Sequence, residues 1–199
     1  MLTFVSGDLF DTDAEALVNT VNCVGAMGRG VAEGVRKRWP RAYEDYRRDC
    51  GIGLSCDGGR DPSVGPMRHQ RAAPCCGADA GRDGPACPVH RVRPGHVAVR
   101  PTGGLLGVRL LFDLPTKRHW YSASRIGDVE AGLRALADAV EASGVRSVAM
   151  PPPGCGHGGL SWRDVGPLVA AALGPLDGVD IRIYAPPVPL PGVPPRRAA

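Results

Sequence analysis

Short apolar runs rich in β-branched residues alternate along this chain with stretches of helical period. Leu-Thr-Phe-Val at 2–5 and Ala-Leu-Val-Asn-Thr-Val at 16–21 are bounded by polar turns, which predicts two strands. The second run leads into Asn-Cys-Val-Gly-Ala-Met-Gly-Arg-Gly at 22–30, after which Val31, Val35 and Trp39 follow at helical spacing. A strand therefore passes through a glycine-rich loop into a helix that Pro40 ends, and a second short helix is expected over 41–49. Further on, 96–100 and 108–112 predict two strands joined by a turn at 102–104. Ile126, Val129, Leu133, Leu136 and Val140 recur at intervals of three or four and predict an amphipathic helix. A strand at 147–150, a second glycine loop at 153–159 and a final strand at 179–184 complete the pattern, with Ser161-Trp-Arg-Asp164 in the form of a capping box that opens another helix. Strands alternating with helices, plus one hairpin, predict an α/β fold in which a mixed sheet is covered by helices on both faces.

Two stretches break the pattern. From 51 to 95 Gly, Pro, Asp, Arg and Cys dominate and no apolar period survives, so this is expected to be an insertion or long loop; from 185 to 199 the chain is Pro-rich, carries Arg196 and Arg197, and is expected to be a disordered tail. With 199 residues and 43% apolar composition, one domain spanning 1–184 plus these decorations is expected, and 28 Gly with 20 Pro fit long loops. A net charge of +4 permits a phosphate-rich partner without demanding one. The N-terminus has no basic region before its first acidic residues and no apolar run reaches spanning length, which predicts a cytoplasmic protein without membrane association. Seven cysteines, an odd count, read as thiols or metal ligands rather than a disulfide framework. Within the irregular stretch, Cys87 and His90 form a plausible zinc pair, with Cys56 and Cys75 or Cys76 as further ligands and His69 and Cys50 nearby; no C-x-x-C pair supports it, and a flexible loop with incidental thiols is the alternative. No other cofactor is expected.

The candidate chemistry lies in the two glycine loops and in one lysine. Each loop follows a strand and precedes a helix, where glycine allows close backbone approach and unpaired N–H groups suit anions. Two such loops can clamp a diphosphate, although either alone can be a tight turn. Lysine and arginine total 24, yet only Lys37 and Lys117 are lysine. A chain that uses arginine for generic charge has reason to place a lysine where a guanidinium cannot serve, since lysine can lose its proton and attack an electrophilic carbon. Chance placement is the alternative.

Gly7-Asp-Leu9, the stretch 18–30, Pro-Thr-Lys-Arg-His-Trp at 115–120 and 153–162 together resemble a macrodomain, in the branch of the DarG-type DNA ADP-ribosyl glycohydrolase antitoxins and the terminal ADP-ribose protein glycohydrolase. The resemblance covers 1–50 and about 95–184, and implies a three-layer α/β/α fold holding ADP-ribose in a cleft at the strand ends. It implies Asp8 and Leu9 at the adenine end and Asn22 near the distal ribose. Gly28, Arg29 and Gly30 would lie around the diphosphate with Pro153, Gly154, Cys155, Gly156, Gly158, Gly159 and Leu160, and Thr116 beside Lys117. Lys117 matches the lysine this branch needs for hydrolysis. Where the human enzyme has an aspartate this chain has Gly158, so no carboxylate can resolve a lysine adduct there. His157, one position earlier, can relay a proton or face solvent. Asp113 stands where many relatives have asparagine, and would hold the Lys117 amine charged only if the strand ran on through Pro115, which proline disfavours. Trp120 and Tyr121 can stack on a base or pack in the core.

The expected activity is hydrolysis of ADP-ribose from a modified DNA base, with a thymidine-type linkage favoured and attack at the distal-ribose anomeric carbon. ADP-ribosyl-glutamate or aspartate on proteins, a non-enzymatic ADP-ribose-binding module, and a nucleic-acid-binding protein with a vestigial cleft are the rivals. The expected partners are ADP-ribose and ADP-ribosylated DNA or protein, met by a monomer. Because the chain stops soon after its last strand, enzymatic reversal is expected over direct binding of a toxin, and a toxin partner is left open.

Overall fold

The computed structural model describes residues 1–51 and 91–185. Six strands form one sheet: β1 (Leu2–Val5), β2 (Ala16–Asn22), β3 (Ala98–Pro101), β4 (Leu110–Lys117), β5 (Ser147–Met150) and β6 (Asp180–Tyr184), in the order β1-β6-β5-β2-β4-β3. All neighbours are parallel except β3 and β4, the hairpin, which pair Ala98 with Asp113 and Pro101 with Leu110. Among the described residues four α-helices pack on the sheet: α1 (Gly30–Arg38), α2 (Pro40–Asp49), α3 (Ile126–Ser143) and α4 (Trp162–Leu173).

The alternation along β2 explains the layering. Ala16 and Val18 face a core shared with Val129, Leu133, Leu136 and Val140 of α3 and Val165 and Val169 of α4. Leu17 and Val21 face the other core, with Ala32 and Val35 of α1 and Ala42 and Tyr46 of α2. A strand covered on both faces reads as a continuous apolar run, as 16–21 does. The three-layer expectation holds, and the predicted helices form with their apolar stripes inward; Ile126, at the start of α3, is the exception and stays 42% exposed. Ser161 caps α4, its hydroxyl accepting from the Arg163 N–H.

One strand differs from expectation. β4 continues through Pro115 to Lys117, pairing Pro115 with Val21 and then shifting register so that Lys117 lies opposite Asn22. β3 ends at Ala98, opposite Asp113. Beyond that point no described strand pairs with β4 on this side, and a residue without an N–H is tolerated on such an edge. The stretch called an insertion and the Pro-rich tail lie mostly outside the described residues, as do Cys56, His69, Cys75, Cys76, Cys87 and His90. The part of it that is described is anchored: Arg91 and Val92 N–H both donate to the Asp49 carbonyl, at 2.8 and 3.4 Å, and Val92 is buried. Cys50 is a buried free thiol of the α2 core, and no group of three His, Cys, Asp or Glu placed to hold a metal occurs among the described residues.

Because β2, β4 and β5 are parallel, the loops that follow them gather at one end of the sheet. That end of an open α/β sheet is where ligands bind.

Candidate functional site at the strand ends

The first glycine loop is organised by the residue that ends β2. Asn22 Oδ1 accepts from the Val24 and Ala26 N–H groups at 2.9 and 3.3 Å, its Nδ2 donates to the Ala26 carbonyl at 2.6 Å, and the buried Tyr46 hydroxyl donates to its main-chain oxygen at 2.8 Å. The amide is thus engaged in holding the loop. The loop delivers the chain to Gly30, where α1 begins with Arg29 as an extended N-cap that makes no side-chain cap. Gly28, Arg29 and Gly30 are all exposed. The first N–H groups of α1 therefore point, uncapped, at the positive end of a helix dipole, an arrangement suited to phosphate oxygens.

The second loop leaves β5 and folds back on itself, with Leu160 N–H donating to the Gly154 carbonyl at 3.0 Å and Gly159 N–H to the Gly156 carbonyl at 3.1 Å. Gly154 holds φ at 75°, a left-handed conformation that favours glycine. Ser124 braces the loop from behind: its N–H donates to the Gly158 carbonyl at 2.9 Å. A β-carbon on Gly158 would lie 2.2 Å from Ser124 Oγ and 2.3 Å from the Gly154 oxygen. No side chain fits there, so an aspartate in this position is excluded by the loop's own packing. Ser124, which the sequence gave no reason to select, has a buried hydroxyl with no hydrogen-bond partner among the described residues. Pro153, Gly154 and Gly158 are buried, Gly156 and Gly159 exposed, and Leu160 half-buried.

Lys117 joins the two sides. Its Nζ donates to the Trp120 carbonyl at 2.9 Å and to the His157 carbonyl at 3.0 Å, bridging the loop after β4 to the second glycine loop. Partial burial lowers the pKa of the ammonium from its ordinary value. Asp113 does not serve as its counter-charge even though the strand runs on through Pro115: the carboxylate takes a hydrogen bond from Asn19 Nδ2 at 2.7 Å and an ion pair from Arg100 Nε. His157 is exposed, and its ring carbon lies 4.0 Å from where a β-carbon on Gly30 would stand, so the two glycine loops meet above the lysine. What His157 offers Lys117 is its main-chain oxygen.

Asp8 is exposed and caps a short 3-10 turn, its carboxylate accepting from Phe10 N–H at 2.9 Å, while Leu9 is buried in the α1–α2 core. Thr116 is buried behind Lys117. Cys155 is half-buried, and burial raises its thiol to about 11, which keeps it protonated at neutral pH; Cys23, deeper, is pushed up to about 12. Neither is poised as a nucleophile. Trp120 and Tyr121 are 52% and 68% exposed, which overturns core packing for both. Arg118 between them and the lysine is fixed to α3 by paired hydrogen bonds to Asp128, at 2.9 and 3.2 Å.

A mixed sheet in this strand order, with two glycine loops facing each other across its parallel strand ends, defines the class: an α/β/α domain that carries its glycine loops at one end of the parallel strands. A family profile described as Macro domain matches residues 75–169, beginning inside the stretch read above as an insertion. The DNA ADP-ribosyl glycohydrolases of Mycobacterium tuberculosis (strain ATCC 25618 / H37Rv) and Thermus aquaticus are 34% and 35% identical over 186 residues, 94% of this chain. The macrodomain of Mycobacterium tuberculosis DarG matches with a TM-score of 0.73 at 34% identity, covering 94% of this chain and 99% of that one. Thermosipho africanus DarTG in complex with ADP-ribose matches at 0.68 with 26% identity, over 94% of this chain and 43% of that one. This chain belongs to the macrodomain family. It spans 42% and 41% of the lengths of the mycobacterial and Thermus glycohydrolases.

Proposed function

We propose that this chain is a hydrolase that removes ADP-ribose from a modified DNA base, of thymidine-type linkage, with Lys117 acting at the anomeric carbon of the distal ribose. The observation that carries the reading is the position of the Lys117 amine, held by two main-chain oxygens where the glycine loops meet, with no carboxylate paired to it among the described residues. A neutral amine uses two N–H groups on those carbonyls and keeps its lone pair for the cleft. Similarity to proteins named DNA ADP-ribosyl glycohydrolases supports the substrate class.

In the proposed reaction the diphosphate lies against the open N–H groups of α1 and the second glycine loop, which places the distal ribose over Lys117. The amine nitrogen bonds to the anomeric carbon as the bond to the base nitrogen breaks; that nitrogen keeps the electron pair and takes a proton, and the amine gives one up. The nitrogen lone pair of this ribosyl-amine then opens the ring, the bond from the anomeric carbon to the ring oxygen breaking and that oxygen taking a proton, to give an imine; water adds to the imine carbon, the amine leaves with a proton, and the freed aldehyde re-closes as ADP-ribose. Gly158 supplies no carboxylate for the second step, so water is activated by another group, a role given in this proposal to the imidazole of His157, the exposed residue next to it on the loop.

The test is to incubate the protein separately with ADP-ribosylated single-stranded DNA and with ADP-ribosylated protein, and to quantify released ADP-ribose. Release from DNA is expected. Lys117→Ala should lower it by several orders of magnitude while ADP-ribose affinity stays within about tenfold, because the diphosphate is held by main-chain groups. Lys117→Arg keeps charge without a free amine: an inactive variant, with a borohydride-trapped mass increase at Lys117 in the wild type, supports attack by the amine. Release from protein alone assigns the glutamate or aspartate linkage instead, and tight binding without turnover assigns a recognition module.

A further inference from the structure

Among the large apolar side chains left in solvent, Trp120 and Tyr121 are the aromatic ones, and both lie in the loop that begins at Lys117. The other tryptophans are packed: Trp39 against Phe10 at 6.3 Å and Trp162 edge-on to Phe4 at 6.2 Å. Trp120 and Tyr121 stand at 83° to each other with centroids 5.2 Å apart, so their rings make a corner. The His119 ring lies 3.8 Å from Tyr121 and backs one of its faces, which holds the corner in place. The loop is further fixed by Arg118 on Asp128 and by the Lys117 hydrogen bond to Trp120's own carbonyl. Half-exposed aromatic surface that is held rigid rather than buried is surface available for a planar ligand.

We infer that Trp120 and Tyr121 form a stacking platform for an unpaired nucleobase next to the modified one, so that the protein reads single-stranded DNA and not ADP-ribose alone. This rests on the reading of the cleft given above. The amine proposed to act on the anomeric carbon is hydrogen-bonded to the Trp120 carbonyl, so the corner stands three and four residues along the chain from the reacting group. A base on one ring abuts the second ring, which suits one base with no demand on its sequence. A duplex cannot use the platform, since its bases are already stacked.

The test has a binding arm and a turnover arm, both on the full chain. A short unmodified single-stranded oligodeoxynucleotide should bind and quench tryptophan fluorescence, and the quench should vanish in Trp120→Phe although that variant still binds a labelled strand. Tyr121→Ala should weaken binding by about five- to a hundredfold, the range that base–aromatic stacking supplies, and Tyr121→Phe should restore it. In the turnover arm, Tyr121→Ala should lower kcat/KM for the ADP-ribosylated oligonucleotide by the same factor and leave an ADP-ribosylated nucleoside unchanged. Equal binding of an abasic strand, or indifference of both arms to Tyr121→Ala, overturns the platform. If neither modified substrate is hydrolysed yet the Tyr121-dependent quench persists, the platform stands and the hydrolase reading falls.

Discussion

Lys117 has a lowered pKa whose cause is burial, with no carboxylate among the described residues to hold its proton on. Ordinary lysine titrates near ~10.4. A lowered value means that the neutral amine becomes available at a lower pH than in free lysine. If the amine attacks, kcat should climb with pH along a limb whose apparent pKa lies below ~10.4. The limb should be missing from the residual activity of Lys117→Ala; a pH-rate profile with the same limb in both proteins would assign the titration to another group. Gly158 gives a second expectation. Restoring an aspartate there forces a side chain against Ser124 Oγ and the Gly154 oxygen, so Gly158→Asp should lower the melting temperature and abolish ADP-ribose binding by calorimetry, rather than supply a missing carboxylate. Lys117 stands out in the sequence because lysine is so rare in this chain, but the two carbonyls that hold its amine belong to loops that only the fold brings together. Ser124 does not stand out, because it meets Gly158 only once the chain is folded. The motif at Asn22 marks the residue but not its contacts: the loop uses the amide in its own turn, a matter of turn geometry which the motif does not print.

The elements were mostly readable from periodicity, since β2 is covered on both faces and α3 carries a clean apolar stripe. The end of β4 was misread for a physical reason: proline is a poor strand residue only where its missing N–H would have had a partner, and the sequence does not say that β3 stops at Ala98. The sequence also could not show that β3, β4 and α2 are tied by Arg100, which reaches Asp113 with Nε and Asp49 with Nη2 at 2.8 Å. Burial raises the Asp113 carboxyl while Arg100 and Asn19 oppose that shift. Arg100→Met should leave a buried carboxylate without its cation, and chemical denaturation should register a loss of about 3–5 kcal/mol. Asp113→Asn keeps an acceptor for Arg100 and leaves the Asp49 pair, so it should cost less than half as much. Equal losses from the two changes would mean that the charge on Asp113 is not what holds the hairpin to α2.

For the molecule as a whole, ligand and fold should be coupled. ADP-ribose at 100 times its Kd stabilises a folded state that alone binds it by about 2.7 kcal/mol, which for a domain of this size raises Tm by about 5–10 °C. Scanning calorimetry with no shift at millimolar ADP-ribose would remove the cleft as a diphosphate site. Removal of residues 56–90, bridged by a short turn, tests what the family match beginning at residue 75 contributes. The described ends meet at one carbonyl, Asp49, so closure costs little. A folded chain that still binds ADP-ribose by calorimetry is expected, and loss of the circular-dichroism signature would make that stretch part of the core. No helix among the described residues is long and apolar enough to cross a membrane.

The strand order also sets a timetable for synthesis. β1 leaves the ribosome first, yet its neighbour in the sheet is β6, which leaves last, with Leu2 set beside Ile181. β2, β3 and β4 can pair among themselves while translation continues, carrying Lys117 and the first glycine loop. β1 meanwhile presents an unpaired edge, a template for wrong partners as well as the right one. The sheet is therefore closed last at β6, which joins β1 to the rest of it.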